Sequence, residues 1–193
     1  MRAEAVPKSC ETGGFRRDRP NGTGVAIGRS VNDNSIEQSL RKEHAMHTQE
    51  HREQTIDRLN RLLRGELSAV ETYQQALAKV SNEPAGEELR RIMAYHETAS
   101  AKLRSEIVQL GGEPSVSSGI WGSWAQLVEG TAKLFGPETA LAALKQGESH
   151  GVAEYERGLE DEYVTAEHKT LIRSELLPQT QTHIQTLDRF ISA

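Results

Sequence analysis

The sequence LNRLLRGELSAVETYQQAL, residues 59–77, carries the clearest helical pattern in the chain. Its apolar residues recur at spacings of three and four, which is typical of a helix with one face on a core. Glu66 interrupts that apolar face. A buried carboxylate is costly unless it is paired, protonated or bound to a metal. The stretch therefore predicts a core helix, and we expect a partner for Glu66 elsewhere in the chain.

The composition of the 193-residue chain favours an all-α protein, because good helix formers dominate from residue 46 onward and β-branched runs are absent. The net charge of −5 gives no support for a nucleic-acid partner. No stretch is long and apolar enough for a membrane span. The single cysteine, Cys10, excludes an internal disulfide. We therefore expect a cytoplasmic protein without a membrane partner.

Residues 1–45 differ from the rest of the chain, because they are rich in glycine and proline and lack a helical pattern. We predict a disordered tail there, and Met46 is a candidate for the true start of the protein. A targeting or tethering arm is the alternative. The folded domain is expected over residues 46–193.

The apolar spacing predicts four long helices in that domain. The expected ranges are about Glu50 to Val80, Pro84 to Leu110, Pro137 to about Tyr163, and Thr165 or Ala166 to about Ile191. A short amphipathic helix over 120–135 is expected to join helices two and three, and its Trp121 and Trp124 are a candidate partner surface. Pro178 falls inside helix four and should kink it.

Helices one and three repeat one pattern, in which a glutamate follows a glycine and precedes a tyrosine by seven residues. The repeated pairs are Glu66 with Tyr73 and Glu148 with Tyr155. We expect both tyrosines in the core, and the alternative is a place beside a metal ligand. The remaining ionisable residues near this pattern are expected at the surface: Glu71, Glu97, Glu154, His150 and His168.

Histidines interrupt the apolar faces of helices two and four, at His96 and His183. At ~1.5 Å per residue, Glu66, His96, Glu148 and His183 lie roughly 18–26 Å from their helix ends and should meet at one level. Carboxylates and imidazoles together suit iron, manganese or zinc. The sequence therefore predicts a metal site made by these four residues. The alternative is a non-enzymatic structural or interaction bundle, in which the same residues form metal-free Glu–His pairs.

Three stretches resemble ferritin-like proteins. LNRLLRGELSAVETY resembles the first helix of bacterioferritin, and HIQTLDRFI at 183–191 is similar to the last bundle helix of that superfamily. LKQGESHGVAEYERGL at 144–159 and the Gly-Gly ending of helix two resemble an uncharacterised bacterial family of ferritin-like bundles, a domain of unknown function. The resemblance covers about residues 53–193.

The resemblance implies a ferritin-like antiparallel four-helix bundle with a helical crossover between helices two and three. It also implies a bound metal, iron above all, a role in stress or storage, and assembly into a homo-oligomer. Enzymatic activity is left open.

Ferritin-like di-iron proteins use one glutamate from each of two helices and a Glu-x-x-His pair from each of the others. Glu66 and Glu148 match the single glutamates, and His183 matches a motif histidine. Thr180 stands where the partner glutamate of His183 would be. In helix two, His96 takes the place of the motif glutamate, and Ala99 takes that of its histidine. Both bridging carboxylates are therefore missing, so we expect one metal ion or a poorly bridged pair.

Overall fold

The computed structural model describes residues 32–80, 84–119 and 122–192, and their side chains except those of residues 32, 33, 79 and 122–137. Its elements are α1 (Asn32–Val80), α2 (Pro84–Gln109), α3 (Gly122–Glu160), α4 (Ala166–Leu171), a π-helical turn (Ile172–Leu176) and α5 (Leu177–Ile191). These residues contain no strand, so the described part of the chain is all-helical, as predicted. No helix in these ranges combines the length and hydrophobicity that a membrane span requires.

The chain divides into two compact units, residues 1–41 and 42–193. In the first unit, the described residues begin α1 at Asn32, and the side chains over 34–41 are exposed. The helix was predicted to begin near Glu50, and residues 32–45 were predicted to be disordered. They are helical because this segment is rich in good helix formers, which need no buried face. The predicted tail over 1–31 lies outside the described residues.

The second unit contains two hydrophobic clusters. The first cluster consists of Tyr73, Ala76, Val80, Ala85, Leu89, Ile92, Ala140, Leu141, Leu144 and Leu187. The second consists of Leu59, Leu62, Leu63, Ala99, Leu103, Ile107, Tyr155, Val164, Ile172 and Leu176. Along the chain, α1 and the rod formed by α4, the π turn and α5 run from the second cluster to the first. Helices α2 and α3 run the opposite way. This arrangement is compatible with a four-helix bundle.

Helix α3 is longer than predicted. The sequence indicated a short connecting helix over 120–135 and a separate helix from Pro137, whereas one helix runs from Gly122 to Glu160. Proline lacks an amide hydrogen and is favoured at a helix start, which explains the wrong prediction. The side chains of Trp121 and Trp124, the candidate partner surface, lie outside the described residues.

Helix α2 ends as predicted at the Gly-Gly pair. Gly111 has a φ of +76°, which favours glycine. The Gly111 N–H donates to Val108 O, and the Gly112 N–H donates to Ile107 O, both at 2.9 Å. These two bonds form a Schellman motif, which satisfies the last carbonyls of the helix.

The fourth rod begins at Ala166 and ends at Ile191, as predicted, and its irregularity lies beside Pro178. The π turn closes where the Leu177 N–H donates to Ile172 O. Because Pro178 has no amide hydrogen to donate, the helix is free to widen just before it. Ile172 and Leu176 of this turn are buried in the second cluster.

Candidate metal centre

The four predicted residues form one polar layer between the two hydrophobic clusters. We call Glu66, His96, Glu148 and His183 the acid–histidine cluster. On each rod, residues of one hydrophobic cluster precede the cluster residue and residues of the other follow it. All four residues are buried, with only 2–6% of their surface exposed. The helical spacing therefore placed all four residues on core faces, as the sequence predicted.

His96 lies between the two glutamates and contacts both. Its Nδ1 is 2.8 Å from Glu66 Oε2, and its Nε2 is 3.0 Å from Glu148 Oε1. Both distances are those of good hydrogen bonds. A single imidazole therefore links α1, α2 and α3 through the centre of the bundle.

Each of the two repeated tyrosines hydrogen-bonds the glutamate on the other helix of the repeat. The Tyr73 hydroxyl donates to Glu148 Oε1 at 2.5 Å, and the Tyr155 hydroxyl donates to Glu66 Oε1. Each tyrosine thus serves the glutamate of the other half of the repeat. Both tyrosines are buried core residues, as expected, and both also hydrogen-bond a predicted metal ligand, which was the alternative.

His183 contacts the cluster less closely. Its Nδ1 lies 3.5 Å from Glu148 Oε1, which is longer than a good hydrogen bond. Its ring packs edge-on against His96, with 5.2 Å between ring centroids. Among the described residues, His183 Nδ1 and Glu148 Oε2 are buried atoms without a hydrogen-bond partner. Such orphaned polar atoms are uncommon in protein interiors.

The charges of the cluster stabilise one another. Burial alone would lower the pKa of His96, but the negative charges of Glu148 and Glu66 outweigh it and raise the pKa to about 10. Burial alone would raise the pKa of Glu148, but the two histidines lower it to about 2. The positive charge of His96 and the negative charge of Glu148 therefore stabilise each other.

Three tyrosines around the cluster stay protonated. Burial, reinforced by the glutamates, raises the pKa of Tyr73 and Tyr155 well above its ordinary value. Half-buried Tyr95 packs against both histidine rings, and burial raises its pKa to about 12. These hydroxyls act as hydrogen-bond donors to the site and its surroundings.

His96, Glu148 and His183 can hold a metal ion. Each offers one ligand atom, and these atoms all lie within 4.8 Å of one another. With metal–ligand bonds of about 2.0–2.1 Å, the donors of a tetrahedral site lie roughly 3.3 Å apart. The distances from Glu148 Oε1 to the two histidines, 3.0 and 3.5 Å, bracket that value.

The motif positions at which Thr180 replaces a glutamate and Ala99 replaces a histidine do not offer substitute ligands. Thr180 is buried, and its hydroxyl donates to Leu176 O within its own rod. Ala99 is packed in the second hydrophobic cluster. Glu97, next to His96 in sequence, is exposed, as expected. The cluster therefore supplies ligands for one ion rather than for a carboxylate-bridged pair.

Sequence reasoning placed two buried residues at the surface. Glu154 is 9% exposed and forms ion pairs with Arg61 at 2.9 Å and with Arg157 at 2.8 Å. His168 is 4% exposed, and its Nδ1 lies 2.7 Å from Thr165 Oγ1. Only the Thr165 contact had a local sequence signal. Thr165 directly precedes α4, and threonine is a common N-cap residue, whose side chain accepts from a backbone N–H two or three residues later.

The fold and the site together define a class, a helical bundle with a buried acid–histidine layer. Residues 54–161 match the family described as "Domain of unknown function (DUF2383)". The match covers more than half of the chain, so the protein belongs to that family. No match was found among curated proteins or among solved structures.

Proposed function

We propose that this protein binds one transition-metal ion at mid-bundle through His96, Glu148 and His183. The main support is His183 Nδ1, a buried atom that has no hydrogen-bond partner in the described part of the chain and lies 3.5 Å from Glu148 Oε1, because an imidazole nitrogen beside a carboxylate is a natural ligand pair. Iron, manganese and zinc all accept this donor set. Iron is the first choice because of the resemblance to bacterioferritin.

Glu66 takes a supporting role in this proposal. The sequence predicted it as a direct ligand, but its Oε2 accepts from His96 Nδ1 at 2.8 Å. Metal-bound histidines commonly donate their second ring N–H to a carboxylate, which fixes the tautomer and the ring orientation. Glu66 would thus hold His96 with Nε2 directed at the ion.

The rival function is a metal-free structural bundle. It is favoured by His96, because both of its ring nitrogens already contact carboxylates and its pKa is raised to about 10. In that case, the acid–histidine cluster would fix the register of the helices without binding an ion.

Metal content separates the two functions. The purified protein is dialysed against zinc, manganese or, without oxygen, ferrous iron, and bound metal is counted per folded chain. We expect about one ion in the native protein and a loss of at least tenfold in affinity in His183→Gln. His168→Gln is the matched control, since His168 is equally buried but lies outside the acid–histidine cluster. A native protein that binds no ion, or two variants that bind equally, would leave the structural bundle as the function.

The finer expectations from the resemblance belong to the same proposal. They are a ferritin-like crossover between α2 and α3, a cytoplasmic location in a bacterium, assembly into a homo-oligomer, and a role in storage or stress. The parallel direction of α2 and α3 supports the crossover, because their connection has to return along the bundle.

A further inference from the structure

Three histidines lie on one face of the first half of α1. His44, His47 and His51 are spaced by three and four residues, so they form one stripe along the helix. His44 and His47 are exposed, and His51 is partly buried. From His51 to Glu66 the helix rises by about 22 Å, at ~1.5 Å per residue. The three histidines are therefore separate from the acid–histidine cluster.

The helical backbone fixes the spacing of these side chains. One continuous helix runs from Asn32 to Val80 and includes all three histidines. Residues four apart on a helix surface have Cβ atoms about 5–6 Å apart. Two histidines at that spacing on one helix face are a known zinc-binding arrangement. The pair with this spacing is His47 and His51.

The surroundings of His47 favour a cation. Its neighbours on the helix surface, three and four residues away on either side, are Glu43, His44, Glu50 and His51. All four are of residue types that bind metals. Within the described part of the chain, no hydrogen bond or ion pair engages the side chains of Glu43, His47 and Glu50. Both carboxylates are therefore available to attract a divalent ion to the imidazoles.

One ring of the pair is already held in place. The ring of His51 packs against that of Tyr163, with 5.5 Å between the ring centroids. Tyr163 is itself fixed to α1, because its carbonyl oxygen accepts from the Thr55 hydroxyl at 2.7 Å. A ligand that is ordered beforehand loses less conformational entropy on binding. The exposed His47 ring is the part of the pair that has to turn toward the ion.

We propose that His47 and His51 chelate one divalent transition-metal ion at the surface of α1, with zinc as the probe. A neighbouring glutamate and water would complete the coordination. Imidazole ligands suit zinc, copper and nickel, whereas magnesium and calcium prefer oxygen ligands. This ion goes beyond the proposed function, because it is additional to the ion at mid-bundle and shares no ligand with it.

The test is a zinc titration of the chelator-treated full-length protein, followed by calorimetry and by NMR of the histidine rings. We expect the ring signals of His47 and His51 to change together and to saturate. His47→Gln and His51→Gln should each weaken this binding at least about tenfold, because even residues that only support a ligand commonly contribute that much.

The matched control moves one histidine without removing it. The double variant His47→Gln, Gln49→His keeps the composition but places the two imidazoles about 200° apart around the helix. Since His47 and Gln49 are both exposed, the fold should be unaffected. We expect the double variant to bind zinc as weakly as His47→Gln. Native affinity in either variant would overturn the proposal, because the zinc would then be bound adventitiously.

His183→Gln distinguishes this site from the proposed function. It should remove the ion at mid-bundle and leave the surface ion, whereas His47→Gln should have the reverse effect. A native protein whose bound zinc depends on His47 alone would contradict only the proposed function. Bound zinc that depends on His183 alone would contradict only the surface site.

Discussion

Tyr73 and Tyr155 each hydrogen-bond the glutamate on the opposite half of the repeat. The sequence shows each tyrosine seven residues after a glutamate on its own helix. The side chains instead pair between α1 and α3. Such an exchange supports both buried carboxylates and ties the two halves of the chain together.

Removing either tyrosine hydroxyl should destabilise the protein. We expect Tyr73→Phe and Tyr155→Phe each to lower the free energy of unfolding by about 1–3 kcal/mol, because each leaves a buried carboxylate with one donor fewer. Urea denaturation measures the effect. An unchanged slope of the unfolding free energy against urea concentration checks that the variants still unfold in two states.

Tyr95→Phe is the control for these variants. The Tyr95 hydroxyl donates to the backbone carbonyl of Glu175 near the surface, so its loss should cost less than about 1 kcal/mol. If all three variants lose the same stability, the tyrosine hydroxyls do not support the buried carboxylates in the way inferred.

At the scale of elements, the turn between α3 and α4 is held against α1. Arg58 Nε donates to Asp161 Oδ2 at 2.7 Å, and the Tyr163 N–H donates to Asp161 Oδ1 at 2.9 Å. Thr55 adds a hydrogen bond to Tyr163 O at 2.7 Å. Asp161 is therefore the centre of this contact.

Asp161 should make stability depend on pH in the acid range. Partial burial alone would raise its pKa, but the Tyr163 N–H and the charge of Arg58 lower it. A lowered pKa in the folded state contributes stability above the unfolded pKa of about 3.9, and the contribution is lost as pH falls through the folded pKa. We expect Asp161→Asn to cost about 1 kcal/mol at neutral pH.

Unfolding curves between about pH 7 and pH 3 test this prediction. The difference between the native protein and Asp161→Asn should be constant near neutrality and shrink as the pH falls below about 4. A difference that stays the same down to pH 3 would show that the charge of Asp161 is not what stabilises the turn.

The segment after α2 is also fixed to α1. Asn60 donates through Nδ2 to Glu113 O at 3.0 Å and accepts from the Ser115 N–H at 2.7 Å. A methyl group on Gly112 would lie 2.7 Å from Ile56 Cγ2, so the loop backbone lies directly on α1. Close approach explains a second glycine at the helix end, beyond the left-handed Gly111.

Substitutions at two glycines should therefore have opposite effects. Gly112→Ala should lower the free energy of unfolding by about 1–3 kcal/mol, because Ile56 has to move. Gly65→Ala, in open space within a helix, should raise it by up to about 1 kcal/mol. Urea denaturation of both variants measures the difference, and a neutral Gly112→Ala would mean that Ile56 rearranges freely.

At the scale of the whole molecule, a polar layer separates two hydrophobic clusters, and every rod contributes one member of the layer. Ligand binding there should stabilise the folded state as a whole, because the ligand atoms come together only when all the helices are packed. An ion held by His96, Glu148 and His183 would join α2, α3 and α5.

Metal should raise stability with the logarithm of its free concentration once that concentration exceeds Kd. At a free metal concentration of 100 times Kd, the free energy of unfolding should rise by about 2.7 kcal/mol in the native protein. Thermal or urea denaturation at fixed metal concentrations measures it. His183→Gln should show little of the increase at the same concentration, whereas His168→Gln should keep it. A native protein whose unfolding ignores added metal would contradict the proposed function.

The sequence by itself determined the helical class, most helix ends and the four polar positions on core faces. Helical periodicity and caps are local properties, so residues a few positions apart are enough to predict them. Prediction from the sequence failed at Pro137, where a local signal was misleading, and at 32–45, where a helix forms without an apolar face.

Only the tertiary structure decided which side chains meet. The bonds of His96 to both glutamates, the crossed tyrosines and the burial of Glu154 and His168 all join residues on different helices or depend on packing between them. Helical periodicity fixes the face on which a residue lies, but not the rotation and height of one helix against another. Those two quantities set every distance in the acid–histidine cluster, and they arise only when the helices pack.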